Sequence, residues 1–127
     1  MELNNLKKLT ELRLSSNNFI GKIPSLRSWT NLQMLELQAS GFEGPIPSSI
    51  SVLKNLSELR ISDLNGGASE FPLLKDMLKM NKLDLSFNKL EGEIPNLEAL
   101  SGLEIMYLTG NFLTGPIPDW IKNRDAK

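Results

Sequence analysis

Residues 80–95 read MNKLDLSFNKLEGEIP, and residues 103–118 read LEIMYLTGNFLTGPIP. In both, an apolar-x-Leu core is followed at equal distances by Asn, Gly and Ile-Pro. The same frame fits LTELRLSSNNFIGKIP from Leu9, LQMLELQASGFEGPIP from Leu32 and, in degenerate form, LSELRISDLNGGASEFP from Leu56. The second apolar anchor of each copy is Leu12, Leu35, Leu59, Leu83 and Met106, which sets the copies 23, 24, 24 and 23 residues apart. A further apolar residue stands three positions before each copy, at Leu6, Trp29, Leu53, Met77 and Leu100. Chance clustering does not hold a register through five cycles, so the chain reads as a repeat array.

Each element of the frame has a physical reason. The LxL core alternates apolar and polar residues, as a short strand with one buried face does, and neighbouring copies pair as parallel strands roughly 4.8 Å apart. Asn17, Asn88 and Asn111 follow the strand where the chain turns inward, and their amides can satisfy backbone groups that the turn leaves unpaired. An Asn ladder inside the coils is the expectation. Gly21, Gly44, Gly92 and Gly115 mark places where the backbone needs a conformation costly for other residues or a close approach to the next coil. In the Ile-Pro pairs that follow, the Ile is expected to be buried and the Pro to fix an extended outer segment.

The form LxxLxLxxNxLxGxIP resembles the plant-type leucine-rich repeat of receptor-like kinases and receptor-like proteins, over essentially the whole chain. The strings LRISDLNGGASEFP, LDLSFNKLEGEIP and LTGNFLTGPIPDW are most similar to the extracellular repeats of receptor-like Ser/Thr kinases that carry a malectin-like domain. The fold class implied is α/β: a right-handed leucine-rich-repeat solenoid. Short parallel β-strands would line its concave face, with loops, 3-10 turns and one short helix on the convex face. Residues 1–127 would form a single domain of about five repeats, 6–28, 29–52, 53–76, 77–99 and 100–123, incomplete and uncapped. The resemblance also implies a signal peptide, membrane helix and kinase in the parent protein, and a place on the extracellular side of the cell membrane. The chain as written shows no export signal, no membrane-spanning run and no glycine-rich, HRD-type or DFG-type kinase string.

Departures from the frame carry information too. Ser40 stands at the Asn position of the second copy, where a shorter side chain weakens the ladder. The third copy holds one extra residue, so counting forward puts Leu64 at the Asn position and counting back puts Asn65 there; a bulge near Leu64 reconciles the two. Leu73, Leu74, Met77 and Leu78 in PLLKDMLKM fit a short outer helix. Relatives are expected to hold another repeat before Met80, so the direct join reads as a deletion of about one unit, which such architecture tolerates. Without polar caps, apolar edges at Leu6 to Leu14 and Met106 to Ile117 would stay partly open, leaving the isolated chain marginal or self-associating.

Composition removes several function classes. With 14 Lys and Arg against 15 Asp and Glu, the net charge of -1 provides no field for a phosphate backbone, so nucleic acid is not an expected partner. The absence of Cys and His removes zinc sites, thiol nucleophiles, Ser-His-Asp triads and disulfides, and no cofactor is implied. Recognition then falls to the outward strand positions. The central column reads Arg13, Glu36, Arg60, Asp84, Tyr107, with alternating signs that can largely neutralise one another. Beside it run Glu11, Met34, Glu58, Lys82, Ile105, then Ser15, Gln38, Ser62, Ser86, Thr109, and then Ser16, Ala39, Asp63, Phe87, Gly110. Phe87, Ile105 and Tyr107 form a candidate recognition patch near the C-terminal end, unless a neighbouring repeat covers them. Glu36 and Asp84, two rungs or roughly 9.6 Å apart, approach an inverting-glycosidase spacing, yet Arg60 between them leaves neither poised as a proton donor.

The remaining features are minor. Asn55-Leu56-Ser57 is the one glycosylation sequon, Trp29 reads as core, Trp120 as packing on a following coil, and Lys7, Lys8 and the tail IKNRDAK as solvated ends. The role implied is binding of a protein or peptide ligand or a co-receptor. A secreted inhibitor of polygalacturonase-type wall enzymes and an intracellular leucine-rich scaffold are the alternatives.

Overall fold

Parallel pairing of the repeated apolar-x-apolar cores builds the molecule. In the computed structural model, which describes residues 8–124, five such strands form one sheet: β1 (Glu11–Arg13), β2 (Met34–Gln38), β3 (Glu58–Ser62), β5 (Lys82–Asp84) and β7 (Ile105–Tyr107). The anchors meet in register, Leu12 to Leu35 to Leu59 to Leu83 to Met106. β3 pairs directly with β5, so the join at Met80 leaves no gap in the stack.

Alternation along each strand sends Leu35, Leu37, Leu59, Ile61, Leu83 and Leu85 into the core, all nearly inaccessible. The return path of every inner coil adds an apolar triplet at i, i+3, i+6: Leu26-Trp29-Leu32, Ile50-Leu53-Leu56, Leu74-Met77-Met80 and Leu97-Leu100-Leu103. Within each triplet the backbone N–H of the later residue donates to the carbonyl three positions back, so consecutive tight turns point all three side chains inward. Burial of each Leu or Met side chain contributes about 2 kcal/mol. Leu6, the anchor expected before the first copy, lies outside the described residues, as does Lys7.

Outside the main sheet the structure corrects several expectations. Residues 72–80 form no helix: the buried set is Leu74, Met77 and Met80 at a spacing of three, while Leu73 and Leu78 are both 60% exposed. A 3-10 helix instead occupies Ser48–Val52, and a four-residue α1 occupies Asp119–Lys122. A second parallel sheet, unforeseen in the repeat pattern, joins β4 (Ser69–Glu70), β6 (Leu90–Glu93) and β8 (Phe112–Thr114). Its partners lie 21 residues apart, Glu70 to Glu91 to Phe112, against 23 or 24 in the first sheet. Trp29 is core as expected, but Trp120 packs backward: its indole N–H donates to the Pro95 carbonyl at 3.2 Å. Arg124 is engaged rather than solvated, donating to the carbonyls of Leu100 and Leu103 and lying 5.3 Å from the Trp120 ring centroid. Ile23 and Ile46 are buried and Ile94 partly so, but Ile117 is 59% exposed, against the expectation. Gly21, Gly92 and Gly115 take positive φ, whereas Gly44 does not and precedes a cis Pro45.

The Asn ladder is real but short. Asn88 is buried; its Nδ2 donates to the carbonyls of Ile61 and Leu85 at 2.6 and 2.9 Å, and its Oδ1 accepts the Leu64 N–H at 3.2 Å. Asn111 repeats the arrangement one coil on, donating to Leu85 and Leu108 and accepting from the N–H groups of Asn88 and Leu90. Leu64 therefore occupies the Asn position, and the extra residue of that coil falls after it, around Gly66. Asn17 departs from the expectation: it is exposed, and among the described residues its amide donates to the carbonyls of Leu14 and Ser15 in its own turn rather than to a neighbouring coil. Ser40 is wholly buried with no hydrogen-bond partner for its hydroxyl, which is the predicted weak rung.

Asn88→Ala takes the side-chain partner from the Ile61 carbonyl and the Leu64 N–H, while the Leu85 carbonyl keeps Asn111, so it should lower stability by about 3 kcal/mol, against under about 1 kcal/mol for Asn17→Ala. Ser40→Ala, which removes an unpaired buried hydroxyl, should be neutral or stabilising by up to about 1 kcal/mol. Urea titrations of the three variants check the order.

Candidate functional site

The exposed face of the first sheet is built by the strand period: residues flanking each buried anchor point away from the core. The central column forms as read, Arg13 to Glu36 to Arg60 to Asp84 to Tyr107 in direct register, with Glu11, Met34, Glu58, Lys82 and Ile105 beside it. Arg60 stands between Glu36 and Asp84 in that register.

The charges do not neutralise along the column. Arg60 Nε donates to Glu58 Oε2 at 2.9 Å, and Arg13 pairs with Glu11 at 3.4 Å, each within its own strand. Side chains two apart on a strand share one face, and here that neighbour outcompetes the one across the ladder. Arg13 Nε also lies 3.3 Å from the Met34 sulfur. Asp84 accepts from the Gln38 amide at 3.3 Å and the Ser86 N–H at 3.0 Å. Glu36 and Lys82 form no ion pair among the described residues.

At the C-terminal end Ile105 and Tyr107 line a shallow depression with Arg60, Lys82, Leu83 and Asp84. Tyr107 is half exposed. Phe87 is not part of that depression: it sits in the turn beyond β5, also half exposed, with its ring against Gly110. The patch expected from the sequence is thus two features, one on the sheet and one on its rim. The Ser column is less open than the strand period suggested, because Ser62 is buried and the Ser15 hydroxyl accepts the Gln38 N–H at 3.0 Å. Asp63 and Gln38 stand in columns legible from the repeat, and only side-chain geometry singles them out, Gln38 by its contact with Asp84 and Asp63 by its contact with Ser62.

Asn55 lies at the turn before β3. Its amide nitrogen is 3.4 Å from the Thr30 carbonyl and its oxygen accepts from Lys79 Nζ at 2.9 Å. Among the described residues no cluster of acidic residues could hold a metal ion, and no helix is long and apolar enough to cross a membrane.

The family model described as Leucine Rich Repeat matches residues 8–27, 79–99 and 102–123, each taking in one copy of the frame or its flank. The chain is an array of leucine-rich repeats. These repeats are 38% identical to Receptor-like protein 35 of Arabidopsis thaliana, over 95% of this chain and 13% of the relative. They are 37% identical to the Receptor-like protein kinase HAIKU2 of the same plant, over 91% of this chain and 10% of that protein. Among solved structures they superpose on the Arabidopsis receptor kinase HAESA, in complex with the peptide hormone IDA and the co-receptor SERK1, at a TM-score of 0.88 and 31% identity. That match covers 95% of this chain and 21% of the other, so the repeats span about a tenth to a fifth of these relatives.

A double-mutant cycle on Arg60 and Glu58 should return a coupling of about 0.5 kcal/mol, and the cycle on Arg60 and Glu36 a value near zero. Denaturant midpoints of the single and double alanine variants measure both.

Proposed function

We propose that this array is a protein- or peptide-binding segment of a plant receptor-like protein or receptor-like kinase, displayed on the extracellular side of the cell membrane. The segment binds without catalysing a reaction. The observation that carries this is the open face of the first sheet: five registered strands present Arg13, Glu36, Arg60, Asp84, Ile105 and Tyr107, none of them needed by the core, with Phe87 on the rim. A broad surface that mixes charged residues with Tyr107 and Phe87, and whose depression at Ile105 and Tyr107 is shallow, suits a macromolecular partner better than a small molecule. The likeness to HAESA, whose structure holds a peptide hormone and a co-receptor, supports an extended peptide or a second receptor as that partner. On this reading Asn55 is the glycan acceptor, since its sequon sits in a turn at the side of the coil and a glycan there leaves the sheet face free. Assignment to the subgroup with a malectin-like domain rests on the resemblance of the quoted strings alone.

The test is to recover the flanking coding sequence, express the whole product with a fluorescent tag in plant cells, and treat intact protoplasts with protease. Plasma-membrane fluorescence with loss of an epitope placed in the repeats is the expected result. Cytosolic fluorescence would leave the scaffold reading standing instead, and a soluble product in the wall space would leave the inhibitor reading.

A further inference from the structure

The turn that closes each strand of the first sheet carries one residue in the left-handed region: Ser16, Ala39, Asp63, Phe87 and Gly110, with φ of 57°, 51°, 58°, 57° and 76°. The fold imposes this conformation at every rung, because the chain must bend inward there to reach the Asn position. Glycine is its least strained occupant, with small and polar residues next. Phe87 breaks that order. It is the bulkiest residue of the five, it is 53% exposed, and it is absent from the core. Neither the turn nor packing in the interior accounts for an aromatic ring at this place.

The surroundings specify what the ring could meet. One side of it rests on Gly110, where a built Cβ would overlap the ring atoms, so the glycine is what allows Phe87 to lie there. On the adjacent rung stands Asp63, exposed, its backbone N–H donating to the Phe87 carbonyl at 3.1 Å and its Oδ2 accepting from the Ser62 hydroxyl at 2.9 Å. Asp84 places a second carboxylate on the strand that leads into Phe87. Lys89, the nearest lysine along the chain, directs its Nζ to the Gly66 carbonyl at 2.7 Å. Among the described residues no cation pairs with Asp63 or Asp84.

We propose that Phe87 and Asp63 form a seat for a cationic side chain, an Arg or Lys of a peptide partner. The electron-rich ring face attracts the guanidinium or ammonium, and the Asp63 carboxylate on the adjacent rung supplies the counter-charge. This rests on the reading of the array as a recognition surface and names the chemistry of one contact on it.

The seat is tested on the full 127-residue chain by NMR titration with N-acetyl-arginine amide, using N-acetyl-leucine amide as the control. Saturable shifts at the amides of Asp63, Phe87 and Gly110 are expected with the arginine compound only. Both Phe87→Gly and Asp63→Asn should weaken that binding by about fivefold or more. Phe87→Gly relieves a strained φ, so its thermal midpoint should hold or rise; a clear fall would make Phe87 a packing residue and overturn the seat. Equal shifts with the leucine compound, or no localised shifts, would also overturn it. Peptide binding on the sheet that survives Phe87→Gly unchanged would sink the seat while leaving the wider function in place.

Discussion

In-register parallel pairing between coils is the constraint on which everything else here depends. Each strand of the first sheet is hydrogen-bonded only to its sequence neighbours in the stack, and equivalent residues fall opposite one another at every rung. One side of every strand is then committed to a continuous apolar interior. The other side contributes nothing to that interior, which allows charged and aromatic residues to accumulate there without disturbing the apolar packing. Stability in such an array is a sum over adjacent coils rather than a property of one central core.

Polar groups inside the coils are handled unevenly. Between Asn88 and Asn111 the backbone carbonyls that the turns leave open are bridged by side-chain amides, while Ser40 and Leu64 cannot provide the same bridge. The coils at 32–76 therefore lean more heavily on apolar packing, where Leu35, Ile50, Leu53, Leu56, Leu59 and Ile61 are all inaccessible. The array's C-terminal side receives a different device, in which Trp120 and Arg124 reach back to the carbonyls of Pro95, Leu100 and Leu103.

The first sheet was legible because its signal is periodic. A 23- or 24-residue spacing of LxL cores predicts both the strands and the columns between them, and Leu12 through Met106 meet as that spacing requires. The outer path was harder. Leu73, Leu74, Met77 and Leu78 satisfy a helical spacing as well as a run of three-residue turns, and only the position of the neighbouring coil decides that Leu74, Met77 and Met80 turn inward. The second sheet leaves no alternating pattern, since its strands are two to four residues long and unlike one another, SE, LEGE and FLT. Ion-pair choice was illegible for another reason: Arg60 has Glu36, Asp84 and Glu58 all within reach, and side-chain geometry selects Glu58.

The two sheets differ in what they offer a visitor lying across the stack. On the first, a straight path from coil to coil stays at one place in the repeat, so a single column can drift in character through independent substitutions. On the second, the offset of 21 residues shifts the path by two places at each step, and Glu91 therefore lies beside Phe112 rather than beside its repeat equivalent Thr114. A change at one place in the consensus would spread along that flank as a diagonal stripe. The flank is thus a staircase, on which no uniform ladder of like side chains can form.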